Sequence, residues 1–238
     1  MKFETDPCTV EKIGYKKGKV KEPLLVCGKD KALKCGEEFK VFNYGFYRKT
    51  EKEIKIGYLY PRNSYDLMKA VVNGIYTFAK LGKYHGEKDL YTMAGLLDLD
   101  VKAMVREEYE LGDITDYKRA ANKLQKIEGI DLVIALVPDG MEEDGPYNPF
   151  KTIWAKANIP SQMISMKTAK LFAEEAKEGN KAKNSSRYYL HNIILGILGK
   201  TGGIPWVVKD MPGNVDCFVG LDVATIAKGI HYPACSVV

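Results

Sequence analysis

Asp131-Leu-Val-Ile-Ala-Leu-Val137, stopped by Pro138-Asp-Gly140, is the stretch on which the fold turns. A strand with one face in water alternates apolar and polar side chains. An unbroken apolar run of this length between turn residues instead predicts a strand covered on both faces, as in a parallel sheet. Upstream, Glu53-Ile-Lys-Ile-Gly-Tyr-Leu-Tyr60 alternates as a strand and ends at Pro61. Asn63 or Ser64 can cap the helix that follows, whose Leu67, Val71, Ile75 and Phe78 keep helical spacing. The charged stretch 80–113 reads as an insertion with short elements, and 117–127 as a lysine-rich amphipathic helix. Downstream, 149–157 reads as a helix, Gln162-Met-Ile-Ser165 as a strand, and 167–177 as another helix. A helix over 187–199 carries Leu190, Ile193, Ile194 and Ile197, and Gly202-Gly203 ends it before Ile204-Pro-Trp-Val-Val208. Strands and helices alternate, which predicts an α/β, Rossmann-like layer fold with a mainly parallel central sheet.

The flanks differ. Residues 1–50 read as short strands and turns, a linker or the edge of a neighbouring domain, with the organised domain over 51–211. Residues 212–238 begin a new pattern, in which Asp216-Cys-Phe-Val-Gly-Leu-Asp-Val223 pairs with His231-Tyr-Pro-Ala-Cys-Ser-Val-Val238. One hairpin cannot bury a core of its own. The chain is therefore expected to be part of a longer polypeptide or one piece of a split protein.

The 238 residues are 45% hydrophobic, ordinary for a globular chain, so intrinsic disorder is excluded as the main state. Thirty-six Lys and Arg against 31 acids give a net charge of +5, which permits a polyanionic partner without requiring one. Cys8, Cys27, Cys35, Cys217 and Cys235 show no Cys-x-x-Cys spacing, and His85, His191 and His231 do not pair with them as metal ligands do. Reduced thiols are expected. With no apolar leader at the amino terminus and no apolar run of ~20 residues, a soluble, cytoplasmic protein without membrane contact is expected.

The chemistry lies between Tyr147 and Asp222. A terminal phosphomonoester carries nearly two negative charges and three acceptor oxygens, so its site needs cationic and neutral donors. An aromatic face beside it can stack a first base, worth ~1–3 kcal/mol whatever the sequence. Tyr147 and Lys151, one helical turn apart in Tyr-Asn-Pro-Phe-Lys, supply the ring and one ammonium. Gln162 in Ile-Pro-Ser-Gln supplies an amide, and Lys200 in Lys-Thr-Gly-Gly-Ile-Pro-Trp a second ammonium. Taken singly, each has an ordinary reading: solvated lysines, a ring over a turn, an amide capping the backbone. Their order on an α/β frame, with Gln162 expected at the carboxy edge of the sheet, favours a joint site.

These residues, with Phe-Val-Gly-Leu-Asp222-Val, resemble the MID domain of Argonaute proteins, prokaryotic or archaeal, running into the PIWI domain. The likeness covers roughly 50–238. It implies that Tyr147, Lys151, Gln162 and Lys200, with Asn192 as a further polar position, hold the 5′ phosphate and first base of a single-stranded guide RNA or DNA. A complementary target strand would pair with that guide in the longer protein, in nucleic acid interference and prokaryotic host defence. Asp222 matches the first carboxylate of the RNase H-like PIWI site, a ligand of Mg²⁺ or Mn²⁺. A catalytic two-metal site needs several carboxylates, so the alternative reading is part of a guide-directed endonuclease whose other acids lie beyond Val238. Many relatives carry a basic residue one turn before the lysine matching Lys200, and here that position is Gly196. A divalent cation or Arg187 is the expected substitute.

A nucleotide-dependent enzyme of the dinucleotide or P-loop type is the competing class. Tyr60-Pro-Arg-Asn-Ser-Tyr lacks the Gly-x-Gly-x-x-Gly turn, and Gly199-Lys200-Thr201 ends a helix rather than beginning one.

Overall fold

The computed structural model describes residues 23–81, 95–140, 147–178, 186–209, 219–227 and 230–237. The described elements begin with β1 (Leu24–Val26), β2 (Ala32–Leu33) and the one-turn α1 (Val41–Tyr44). Then come β3 (Ile54–Pro61), α2 (Tyr65–Leu81), β4 (Leu99–Tyr109), α3 (Ile114–Gln125) and β5 (Leu132–Val137). The chain continues through α4 (Tyr147–Lys156), β6 (Ser161–Ser165), α5 (Met166–Glu178) and α6 (Ser186–Lys200). It closes with β7 (Val207–Lys209), β8 (Val219–Ala227) and β9 (Ile230–Val237).

Four parallel strands form the central sheet in the order β4-β3-β5-β6. β5 lies inside it, and all six of its residues are buried. The side-chain period of two sorts this sheet between two cores. Ile56, Tyr58 and Tyr60 of β3 and Leu132, Ile134 and Leu136 of β5 face the cluster built with α2, α5 and α6. Leu59, Val133, Ala135 and Val137 face the cluster of α3 and α4, with Tyr117, Phe150 and Trp154. The apolar run around Ile134 thus feeds both layers, as its lack of alternation predicts.

Two stretches differ from the sequence reading. The region 80–113 was expected to be an insertion, but Leu99–Tyr109 is an eleven-residue strand of the sheet, parallel to β3. It is an edge strand, and exposed Arg106 and Glu108 alternate with more buried neighbours, which hides it in a search for apolar runs. The register also shifts between Lys55 and Gly57 of its partner. The stretch expected to be linker-like contributes Leu25, Cys27, Leu33, Val41, Phe42 and Phe46 to the α2–α5–α6 core. There Phe42 stacks on His191 at 4.5 Å and meets Phe78 edge-on at 5.3 Å. β1 pairs antiparallel with both β2 and β7, so Val207–Lys209 joins the amino-terminal segment rather than the parallel sheet. Residues 1–22 lie outside the described residues.

The expected carboxy-terminal hairpin is present, with β8 and β9 antiparallel and Asp222 opposite Ala234. Cys27 and Cys35 are free thiols. Among the described residues no helix is long and apolar enough to cross a membrane.

Candidate functional site

Helix α4 is seated by its apolar side. Phe150 and Trp154 are buried one turn apart, and Trp154 Nε1 donates to the Tyr117 hydroxyl at 2.7 Å. With that face committed to α3 and the sheet, Lys151 projects beside it toward the start of β6. Its Nζ donates to the Ser161 carbonyl at 2.5 Å and to Ser161 Oγ at 2.8 Å. The turn between α4 and β6 is closed by Asn158, at φ 54°, and by the Ile159 N–H donating to Trp154 O at 3.0 Å.

Lys200 arrives from the other side as the last residue of α6. Gly202, at φ 87°, ends that helix, and the Gly203 N–H returns to Leu198 O at 2.9 Å. A Cβ at Gly203 would stand 2.2 Å from Leu198 Cδ1, so a side chain there would push this ending apart. Lys200 Nζ donates to Gln162 Oε1 at 2.5 Å, and Gln162 Nε2 donates weakly to Met163 O at 3.3 Å. Lys151, Ala155, Asn158, Pro160, Ser161 and Lys200 line a cavity of about 360 Å³ between these elements.

Two ammonium groups therefore meet around adjacent residues of one strand, bonded to carbonyl, hydroxyl and amide oxygens. Neither forms an ion pair with a carboxylate among the described residues. Burial lowers the Lys151 pKa. Lys200 is exposed as a whole residue, yet desolvation and then the charge of Lys151 pull its pKa down to about 8. Two cations crowded together without an anion are held in a less favourable charge state than in water, and an added dianion relieves both costs.

The site lies at the amino edge of the sheet, not at the expected carboxy edge. Ser161 and Gln162 are the first two residues of β6, and Gln162 pairs with Ile134, early in β5. A loop leading from a helix into a parallel strand lies at the strand's amino end, so the α4–β6 turn fixes the side. At the opposite edge the first turn of α5 has its own acceptors. Asp139 Oδ1 takes the Lys167 N–H at 2.6 Å and Ser165 Oγ takes the Thr168 N–H at 3.2 Å.

Of the residues singled out in the sequence, Lys151, Gln162 and Lys200 come together. Tyr147 opens α4 one turn before Lys151, and the position of its ring lies outside the described residues. Asn192 is exposed on α6, about 12 Å along the axis from Lys200, and does not line the cavity. Arg187 cannot replace the charge missing at Gly196. It stands in the first turn of α6, about 20 Å along the axis from Lys200, where its charge acts on buried His191. Gly196 itself faces the site, since a Cβ there would lie 2.9 Å from Gln162 Oε1 and 3.8 Å from Lys200 Nζ. The side chain of Asp222 lies outside the described residues, and no group of three His, Cys, Asp or Glu side chains is placed to hold a metal among those described. Ser161 was not singled out, although it stands next to Gln162 in Ile-Pro-Ser-Gln.

No protein-family model matches the chain. Among curated proteins, an Argonaute of Aquifex aeolicus (strain VF5) is 32% identical over 111 residues, or 44% of this chain and 14% of that protein. Among solved structures, Clostridium butyricum Argonaute bound to a guide DNA and a 19-mer target DNA superposes with a TM-score of 0.77 at 44% identity. That match covers 95% of this chain and 29% of the other. Kluyveromyces polysporus Argonaute with a guide RNA gives a TM-score of 0.55 at 13% identity over 86% of this chain and 25% of that one, a likeness of fold alone. The chain thus spans less than a third of the length of these relatives.

Proposed function

This chain is homologous to the Argonaute proteins, and from that premise we propose that its Lys151–Gln162–Lys200 site anchors the 5′-phosphorylated end of a single-stranded guide RNA or DNA. The observation that carries the reading is the pair of crowded ammonium groups bonded, among the described residues, only to neutral oxygens beside an open cavity. A terminal phosphate accepts from both ammonium groups and from the Gln162 amide once Gln162 releases Lys200. In this reading the Tyr147 ring stacks the first base. Residues 51–211 are the MID domain, with the 24–46 segment packed onto it, and 212–238 open a PIWI domain. The longer protein pairs the guide with a complementary target strand in prokaryotic host defence, and works in the cytoplasm.

The test is binding of labelled oligonucleotides with and without a 5′ phosphate, as RNA and as DNA. Lys151→Ala is expected to weaken the phosphorylated strands by about tenfold or more and to leave 5′-hydroxyl strands nearly unchanged, as for a charge-assisted hydrogen bond. Equal loss for both ligands would reduce Lys151 to a nonspecific backbone contact.

A second reading concerns the longer polypeptide. Asp222 lies within a nine-residue strand paired along its length with β9, the kind of frame that holds a catalytic carboxylate in place. It would be one ligand of Mg²⁺ or Mn²⁺ in a guide-directed endonuclease, where the metal polarises a phosphodiester. One carboxylate does not make a two-metal site, and the cavity beside Lys200 is lined by ammonium and neutral groups, which suit an anion better than a resident cation. This chain is accordingly expected to cut nothing by itself with either metal.

A further inference from the structure

A second polar cleft lies on the opposite side of α4. It is larger, about 640 Å³, and runs between α3 and α4. Lys118, Asn122 and Gln125 enter it from one face of α3, at the spacing of successive turns, while Asn148, Thr152 and Lys156 enter from α4. Half-buried Ile153 and Ala157 give it an apolar floor, and exposed Pro149 adds apolar surface. No acidic side chain lines it among the described residues, and neither Lys118 nor Lys156 is ion-paired there. Gln125 Nε2 donates to Ile153 O at 3.3 Å, which leaves Oε1 as an acceptor. Helix periodicity makes α4 the wall between the two cavities, with Lys151 and Ala155 lining one and Thr152 and Lys156 the other.

We infer that this α3–α4 cleft is a separate binding site for a mononucleotide. The donor set decides the class. Lys118 and Lys156 stand toward opposite ends of the cleft, and an ammonium without acids beside it at either end suits a phosphate, whereas three carboxamides, each both donor and acceptor, suit the edge of a base. A carboxamide matches the adjoining donor and acceptor of adenine in a bidentate pair. The apolar floor takes the face of the base, and the volume falls within the range of small-ligand sites. A sugar or a plain anion would use the hydroxyl or the lysines but leave either the amides or the floor unused.

The test is equilibrium dialysis of AMP against the full 238-residue chain, since AMP is a ligand for this cleft and also carries the 5′ phosphate of the guide-end reading. Two bound equivalents are expected. Lys118→Met/Lys156→Met should remove one of them or weaken it by about tenfold, and Lys151→Met/Lys200→Met should remove only the other. If the guide-end reading alone fails, the wild-type chain binds one AMP, and only the Lys118/Lys156 change abolishes it. Adenosine should compete weakly for the cleft, and inorganic phosphate more weakly than AMP. Asn122→Ala/Gln125→Ala, at an exposed and a half-buried position of α3, is expected to weaken AMP without altering inorganic phosphate, and serves where the lysine variant loses its helical circular dichroism. AMP binding untouched by both the Lys118/Lys156 and the Asn122/Gln125 substitutions, whether or not the Lys151/Lys200 change abolishes it, or phosphate competing as well as AMP, would overturn the inference.

Discussion

Lys200 Nζ and Gln162 Oε1 stand 2.5 Å apart across the bare backbone of Gly196. The contact joins the end of one helix to the second residue of a strand 38 positions earlier. It also keeps the carboxamide oxygen, an acceptor, turned toward the ammonium. An incoming phosphate must replace that acceptor, so the bond is a preformed version of the contact the ligand would make.

The charge state of Lys200 gives a pH dependence with a definite sign. Its folded pKa of about 8 lies below the ordinary 10.5, so the unfolded chain binds more protons in that window, and the stability of the free protein rises with pH across it. Phosphate binding runs the other way, because it needs the ammonium. Affinity for a 5′-phosphorylated oligonucleotide is expected to fall as pH rises through 8, and also to fall below pH ~6 as the phosphate itself gains a proton. Lys200→Arg should remove much of the alkaline loss. An alkaline limb unchanged in that variant would assign the titration elsewhere.

Gly196→Ala separates packing from binding. The new Cβ would stand 2.9 Å from Gln162 Oε1, and the flexible carboxamide would swing away from Lys200. Within a helix the same change is worth up to about 1 kcal/mol in favour of Ala. Thermal stability should therefore hold or rise, while affinity for the 5′ phosphate drops by about threefold to tenfold. Unaltered affinity would show that the Gln162–Lys200 bond does not organise the site.

Tyr147 is tested by two substitutions. If its ring stacks the first base, Tyr147→Phe retains most of the binding and Tyr147→Ala loses ~1–3 kcal/mol. If the hydroxyl matters more, Phe is nearly as damaging as Ala. Neither change having an effect would leave the ring without a role in binding.

Stability depends on a different contact. The Trp154 indole N–H donates to Tyr117 O–H at 2.7 Å inside the α3–α4 core, where both rings are fully buried. Tyr117→Phe leaves that N–H without its acceptor and should cost ~1–3 kcal/mol in denaturant unfolding. A loss under ~0.5 kcal/mol would mean that α4 shifts to find another acceptor.

The sequence made the buried centre of the fold legible and its margins obscure. β5 declares itself because a strand covered on both faces can carry only apolar residues. β4 does not, because an edge strand tolerates Arg106 and Glu108 on its open side. The residue types of the site were legible for the same local reason, since Lys151, Gln162 and Lys200 suit a phosphate. Their position at the amino edge was not, because it depends on how β6 aligns with β5. Helix geometry also separates residues that look close on paper: Arg187 and Asn192 share α6 with Lys200 but stand two or more turns away.

The pairing of β1 with β7 bears on how the chain acquires its fold. Leu24–Val26 meets partners about 180 residues later, so the two strands cannot join until the residues between them have been made. At ~5–20 residues per second a ribosome needs roughly 10–40 s to cover that interval. Throughout it Leu25, Leu33 and Phe42 wait beside an unfinished core, and unpaired apolar strand edges are where aggregation begins. Release of Val207–Lys209 from the ribosome is thus the step at which β1 gains its second partner and that edge is covered.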